Sequence, residues 1–176
     1  MLPPANHPQL KEWERAVTDT TGLMRFYHGW DRYQDLLVES IGSLTDEQLA
    51  LGASPTLRPI WTLAAHILGA RIGWFRDVMG EGTDHPEFEA MNHWDEEDQP
   101  QRTAEELVHG LQESWQLIAD CMARWTPDDL DREFTTARGN TFTRQWIIWH
   151  VIEHDLHHGG ELAFSLGMHG LPTPDL

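Results

Sequence analysis

Four stretches of this chain repeat large apolar side chains every three or four residues, a period that constrains the fold more than any other feature. A 3.6-residue turn gathers such positions on one helix face, whereas a half-buried strand needs strict alternation. The first stretch runs from about Thr20 to Gly42, with Phe26, Trp30, Tyr33, Leu37 and Ile41 on one face. The second runs from about Arg58 to Met79, with Pro59 in its first turn and a stripe of Leu63, His66, Ile67, Ala70, Trp74 and Val78. The third begins at Thr103, whose spacing to Glu106 matches a capping box, and turns Leu107, Leu111, Trp115, Ile118, Met122 and Trp125 inward. The fourth runs from about Thr143 to Leu166 and meets stop signals at Gly167, Gly170 and Pro172. At 1.5 Å per residue each spans roughly 30 Å or more, so the lengths match across a bundle. No segment reads as a strand. The expected fold is all-α, a four-helix bundle with a long crossover and short extra helices.

The connections carry their own signals. Residues 43–57 contain the capping pattern Thr45 to Gln48 and predict a short extra helix. Residues 80–102 form a long acidic crossover, in which Asp95 to Asp98 reads as a solvated loop ahead of a helix N-terminus. Residues 126–142 open on a proline-led helix start and pass through the turn signal Arg138-Gly-Asn140.

With 176 residues, 40% hydrophobic and 23% charged, the chain suits one globular domain spanning 1–176. Its formal net charge of −17, with the twelve cationic side chains scattered, argues against nucleic acid and against anionic membranes as partners. A lone Cys121 excludes an internal disulfide and reads as a buried, inert thiol. The N-terminus lacks a basic start followed by an apolar run, and no apolar stretch approaches the ~20 residues that span a bilayer, so a cytoplasmic location is expected. The nine tryptophans, among them Trp30, Trp61, Trp74, Trp146 and Trp149, are mostly core by spacing, with a substrate pocket lined by some of them as the alternative.

Chemistry concentrates in the histidines. Five of the eleven fall between His150 and His169. His154 and His158 stand one helical turn apart on one face, close enough to chelate one ion. A third ligand must come from another element, and His66, in the apolar stripe of the second helix, is the candidate. Several imidazoles converging in a low-dielectric interior are costly to bury without a partner, which favours a metal. His150 precedes His154 by one turn and could pair with it instead; successive four-residue steps rotate by ~40°, so the three do not share one ion equally. His157 lies ~100° around the helix from His158 and reads as a rim group. His28 faces either the same cavity or the surface.

These residues resemble the DinB/YfiT-like superfamily of metal-binding four-helix bundles. The resemblance rests on His66 within Trp61-Thr-Leu-Ala-Ala-His66-Ile-Leu and on His154-Asp-Leu-His-His158-Gly-Gly160-Glu161. It implies His66, His154 and His158 as the metal ligands, favouring the 154/158 pair over 150/154. Gly160 matches a family glycine, Glu161 replaces a glutamine, and Gly159 replaces a common arginine. The resemblance further implies a metal-dependent S-transferase that joins a low-molecular-weight thiol to a small electrophile, and a homodimer. Three imidazoles suit zinc or nickel, and also iron or manganese. The alternatives are a metal-dependent hydrolase and a non-catalytic metal-binding module. A zinc-protease reading fails because Asp155 stands where a glutamate base is needed, and a di-iron reading fails because His109 points away from the core. Anionic thiols would need a basic residue such as Arg71 or Arg144 at the pocket mouth, although each alone also fits surface solubility. For the pair Gly159-Gly160, close helix packing and close ligand approach weigh equally.

Overall fold

A computed structural model describes residues 22–25, 27 and 29–174; Phe26 and His28, assigned above to the first helix, lie outside them. After a 3₁₀ turn at Gly22–Arg25 come α1 (Trp30–Gly42), α2 (Asp46–Leu49), α3 (Ile60–Ile72), α4 (Phe88–Met91), α5 (Ala104–Arg124) and α6 (Arg144–Met168). Helix α3 continues as one wider π-type stretch through Gly73–Val78, so the second helix reaches the length its periodicity predicts. The four long helices form the all-α bundle.

Local chemistry explains the boundaries. Thr45 and Thr103 each accept a hydrogen bond from the third residue of their helix, while Gln48 and Glu106 reach back to the cap backbone. Both capping boxes are where the sequence placed them. Helix α6 closes with Leu171 N–H donating to the Leu166 carbonyl and Gly170 N–H to that of Gly167, the paired bonds of a Schellman ending.

One expectation is overturned. A two-stranded hairpin pairs β1 (Glu133–Thr135) with β2 (Thr141–Thr143), with Phe134 opposite Phe142. Three-residue strands are too short to show alternation, and only their turn at Gly139 is legible in the sequence. The hairpin hands the chain to α6 through Thr143, which caps that helix, and Arg144 N–H donates to the Arg132 carbonyl.

Helix α3 is central, packing against both α6 and α5. It is buried nearly all round, including Ala64, Leu68, Ile72 and Phe75 outside the anticipated stripe, whereas Ala70, Trp74 and Val78 are only half-buried. A helix enclosed on several sides carries no clean apolar stripe, so periodicity misplaces its face. The apolar core forms two clusters. Leu37, Ile41, Leu63, Leu68, Leu107 and Leu162 belong to one; Trp30, Phe75, Ile118, Met122, Ile147 and Val151 belong to the other.

A buried polar layer separates these clusters along the helices. Arg71, expected near a pocket mouth or on the surface, is fully buried and donates to Asp155 Oδ2 at 2.8 Å through Nη2 and at 3.0 Å through Nε. Its Nη1 donates to Gln34 at 2.7 Å, and Trp30 Nε1 donates to Asp155 at 2.7 Å. Arg144 is likewise buried, its guanidinium 4.1 Å from the centre of the Trp125 ring. Arg71 is tolerated there because every nitrogen of its fork has a partner, whereas the Arg144 Nε has none; sequence position alone reveals neither.

Candidate metal centre

Helix α3 supplies His66 and α6 supplies His154 and His158. Each of the three offers a ring nitrogen, and those nitrogens all lie within 4.8 Å of one another. The Nε2 atoms of His66 and His154 are 3.2 Å apart. Two nitrogens each ~2.0–2.1 Å from a tetrahedral ion would stand about 3.3 Å apart, so the spacing fits a shared metal. His150 is not in this group: its ring stacks on Trp146 at 4.9 Å and meets Trp74 edge-on. His157 is exposed, with Nε2 3.8 Å from Glu161.

Outer contacts fix which nitrogens face inward. His66 Nδ1 lies 2.6 Å from Asp95 Oδ2, and His158 Nδ1 lies 2.7 Å from Glu161 Oε2. The hydrogen bonds from these histidines hold both carboxyls below their usual range, so both are ionised acceptors at neutral pH. Each imidazole then donates its Nδ1 hydrogen to its carboxylate, so that Nε2 is the nitrogen available to a metal. His154 is pushed down to about 3, chiefly by burial and then by its histidine neighbours, and burial also lowers His158. Neutral imidazole is the form that binds metal. The His154 Nδ1 atom is buried without a hydrogen-bond partner. Three imidazoles, two of them steered by carboxylates, form a donor set that can hold one divalent ion.

The profile of the DinB superfamily matches residues 26–162. The chain belongs to that superfamily. Its fold is similar to that of a DinB-like protein from Bacillus cereus, with a TM-score of 0.67 and 20% identity over 88% of this chain and 97% of that one. A conserved protein from Enterococcus faecalis has a TM-score of 0.54 and 17% identity, over 84% of this chain and 99% of that one. At such identities the likeness shows the fold. No curated protein matches the chain.

In this DinB-superfamily chain, an open pocket of about 450 Å³ adjoins the three histidines, with His66 and His158 in its wall beside Arg58, Leu57, Leu63 and Phe164. Arg58 favours the charged forms of both Asp95 and Glu161. Sequence reasoning misses the part that two of these residues play. Asp95 belongs to the acidic run expected to be a solvated loop, yet Phe88, Met91 and Trp94 bury the crossover against the core and carry Asp95 to His66. Arg58 carries no signal in the sequence, because only the folded loop before α3 brings it to the pocket. The tryptophans also divide: Trp30 is buried, Trp61 and Trp74 are half-buried, and Trp146 and Trp149 are exposed rather than core.

Cys121 is buried, and burial pushes its thiol up to about 12, so it is no nucleophile. His109 is exposed and bonds Glu87, away from the core. No helix among the described residues is long and apolar enough to cross a membrane.

Proposed function

We propose that His66, His154 and His158 hold one divalent ion, zinc or nickel, and that the chain is a metal-dependent S-transferase joining a low-molecular-weight thiol to a small electrophile. The observation that carries this reading is the convergence of three imidazole nitrogens within 4.8 Å beside a pocket large enough for a small molecule. A divalent ion with an open coordination position supplies Lewis acidity that favours thiolate over thiol near neutral pH. The chain's own residues do the rest. Asp95 and Glu161 accept the Nδ1 hydrogens and hold two Nε2 lone pairs toward the site. Leu63 and Phe164 give the pocket wall apolar surface on which a small electrophile can rest. The thiol loses its proton to solvent, its sulfur forms a bond to carbon, and the leaving group departs with the electron pair of the bond that breaks. The family resemblance supports S-transfer, and it supports a homodimer as the working form.

The test combines metal analysis with spectroscopy. Purified protein should carry about one divalent ion per chain, and His66→Ala, His154→Ala or His158→Ala should lower that content sharply, His157→Ala much less. Cobalt-substituted protein should gain sulfur-to-metal charge-transfer bands when a small thiol is added. Consumption of an electrophile should require both metal and thiol and should vanish in His154→Ala. If millimolar thiol leaves the cobalt spectrum unchanged, S-transfer is excluded, and a non-catalytic metal-binding module or a hydrolase with water in the open position takes its place.

A further inference from the structure

Arg58 is the only guanidinium or ammonium group among the residues lining the pocket, and among the described residues it forms no ion pair. Arg58 is exposed, at the open side of the pocket, whereas the buried or half-buried arginines of the bundle are engaged: Arg71 with Asp155, Arg76 with Asp77 and Glu89, Arg144 with Glu81 and Asp129. The loop that carries Arg58 is anchored on both sides. Ile60 N–H donates to the Leu51 carbonyl at 2.8 Å, and His169 Nε2 donates to the Gly52 carbonyl at 2.8 Å. The loop backbone beneath Arg58 is thus held on both sides, and among the described residues its exposed guanidinium has no hydrogen-bond partner. A planar fork of that kind matches an oxyanion bidentately.

Charge selects the anion. Arg58 offers one guanidinium to the pocket, and one fork matches one carboxylate, whereas a phosphate dianion would add an unpaired negative charge to a chain whose net charge is already −17. Shape and polarity select the remainder. Six large hydrophobic residues are exposed among the described residues, and two of them, Leu57 and Phe164, line this one pocket above buried Leu63. Apolar groups gathered at a concave site, rather than scattered over the surface, mark where an apolar body rests.

We propose that this pocket binds a monocarboxylate with an apolar body, its carboxylate gripped by Arg58 and its chain lying against Leu57 and Phe164 toward the histidines. The inference rests on the metal-dependent reading above and names the class of small molecule that site would take. It assigns Arg58 as a specificity-determining residue.

Calorimetric titration of the full chain as purified, with hexanoate and with hexanamide, tests the proposal directly. Wild-type protein should bind hexanoate about threefold to fivefold more tightly, the difference an exposed charge pair supplies. Arg58→Gln should abolish that preference, with hexanamide binding unchanged. Arg58→Lys should retain an intermediate preference, because it keeps the charge and loses the fork. Equal wild-type affinities, or no binding of either probe, would overturn the assignment. So would a preference that survives Arg58→Gln, since the carboxylate would then sit on the metal. The two readings fail separately: absent thiol bands with an Arg58-dependent hexanoate preference sink S-transfer alone, and the converse sinks the carboxylate site alone.

Discussion

Gly159 lies where α6 passes closest to α1, and a β-carbon built on it would meet the Tyr33 hydroxyl at 1.8 Å and its ring carbon at 2.8 Å. Tyr33 is buried, and its hydroxyl donates to the Asp155 carbonyl at 3.3 Å, so the ring has little room to swing aside. Overpacking a filled site costs about 1–3 kcal/mol and outweighs the gain of up to ~1 kcal/mol that alanine brings to a helix. A β-carbon on Gly160 would meet nothing within 4 Å, and there only the helix gain applies. Gly159→Ala should therefore lower unfolding free energy while Gly160→Ala raises it, as read by urea denaturation. In a Tyr33→Phe background Gly159→Ala should cost less, because the nearest atom is gone; an equal cost would place the clash elsewhere. The adjacent glycines are indistinguishable in sequence, since neither reveals what stands opposite. The histidines are more legible than their partners: a one-turn spacing is local, whereas Asp95 meets His66 only after 29 residues of chain have folded back.

The buried ion pair decides how the helices sit against one another. Arg71 on α3 and Asp155 on α6 are both fully buried, and Trp30 and Gln34 of α1 complete the network. Asp155 also follows His154 directly, so the register that satisfies Arg71 is the register that aims the metal-binding face of α6. Breaking a buried pair leaves a lone charge in a low-dielectric interior, at about 3–5 kcal/mol. Arg71→Met and Asp155→Asn should each approach that loss. Combined, they should cost at least ~1 kcal/mol less than the sum of the two, because the introduced amide oxygen would still accept from Trp30 and no charge is stranded. Strict additivity in a double-mutant cycle would show that the two side chains act independently. Helix positions and caps are readable at this scale because both are local patterns. The faces of α3 and α6 are less so, since both helices are apolar on several sides: Trp146 and Trp149 share α6 with buried Ile147, Ile148 and Val151.

Across the whole molecule, the candidate ligands join elements far apart in the chain. His66 stands on α3, His154 and His158 on α6, and Asp95 in the crossover between α4 and α5. An ion bound by all three imidazoles would therefore clamp the bundle across α3 and α6 and, through the His66–Asp95 contact, tie down the crossover. A ligand that binds only the folded state stabilises it by RT ln(1 + [L]/Kd), about 2.7 kcal/mol at a hundredfold excess over Kd. For a chain of this length each kilocalorie shifts the melting temperature by about 2–4 °C, so zinc loading should raise it by about 5–10 °C over chelator-treated protein. His66→Ala should abolish most of that difference. Hydrogen exchange should report the same linkage regionally, with slower exchange on metal loading in residues 93–98 as well as in α3 and α6, and little change in the hairpin at Glu133–Thr135, which contributes no ligand. Equal melting temperatures with and without chelator at neutral pH would mean that the ion contributes nothing to the fold. Protection confined to α6 would mean that His154 and His158 bind without His66, and that the crossover is held by Phe88, Met91 and Trp94 alone.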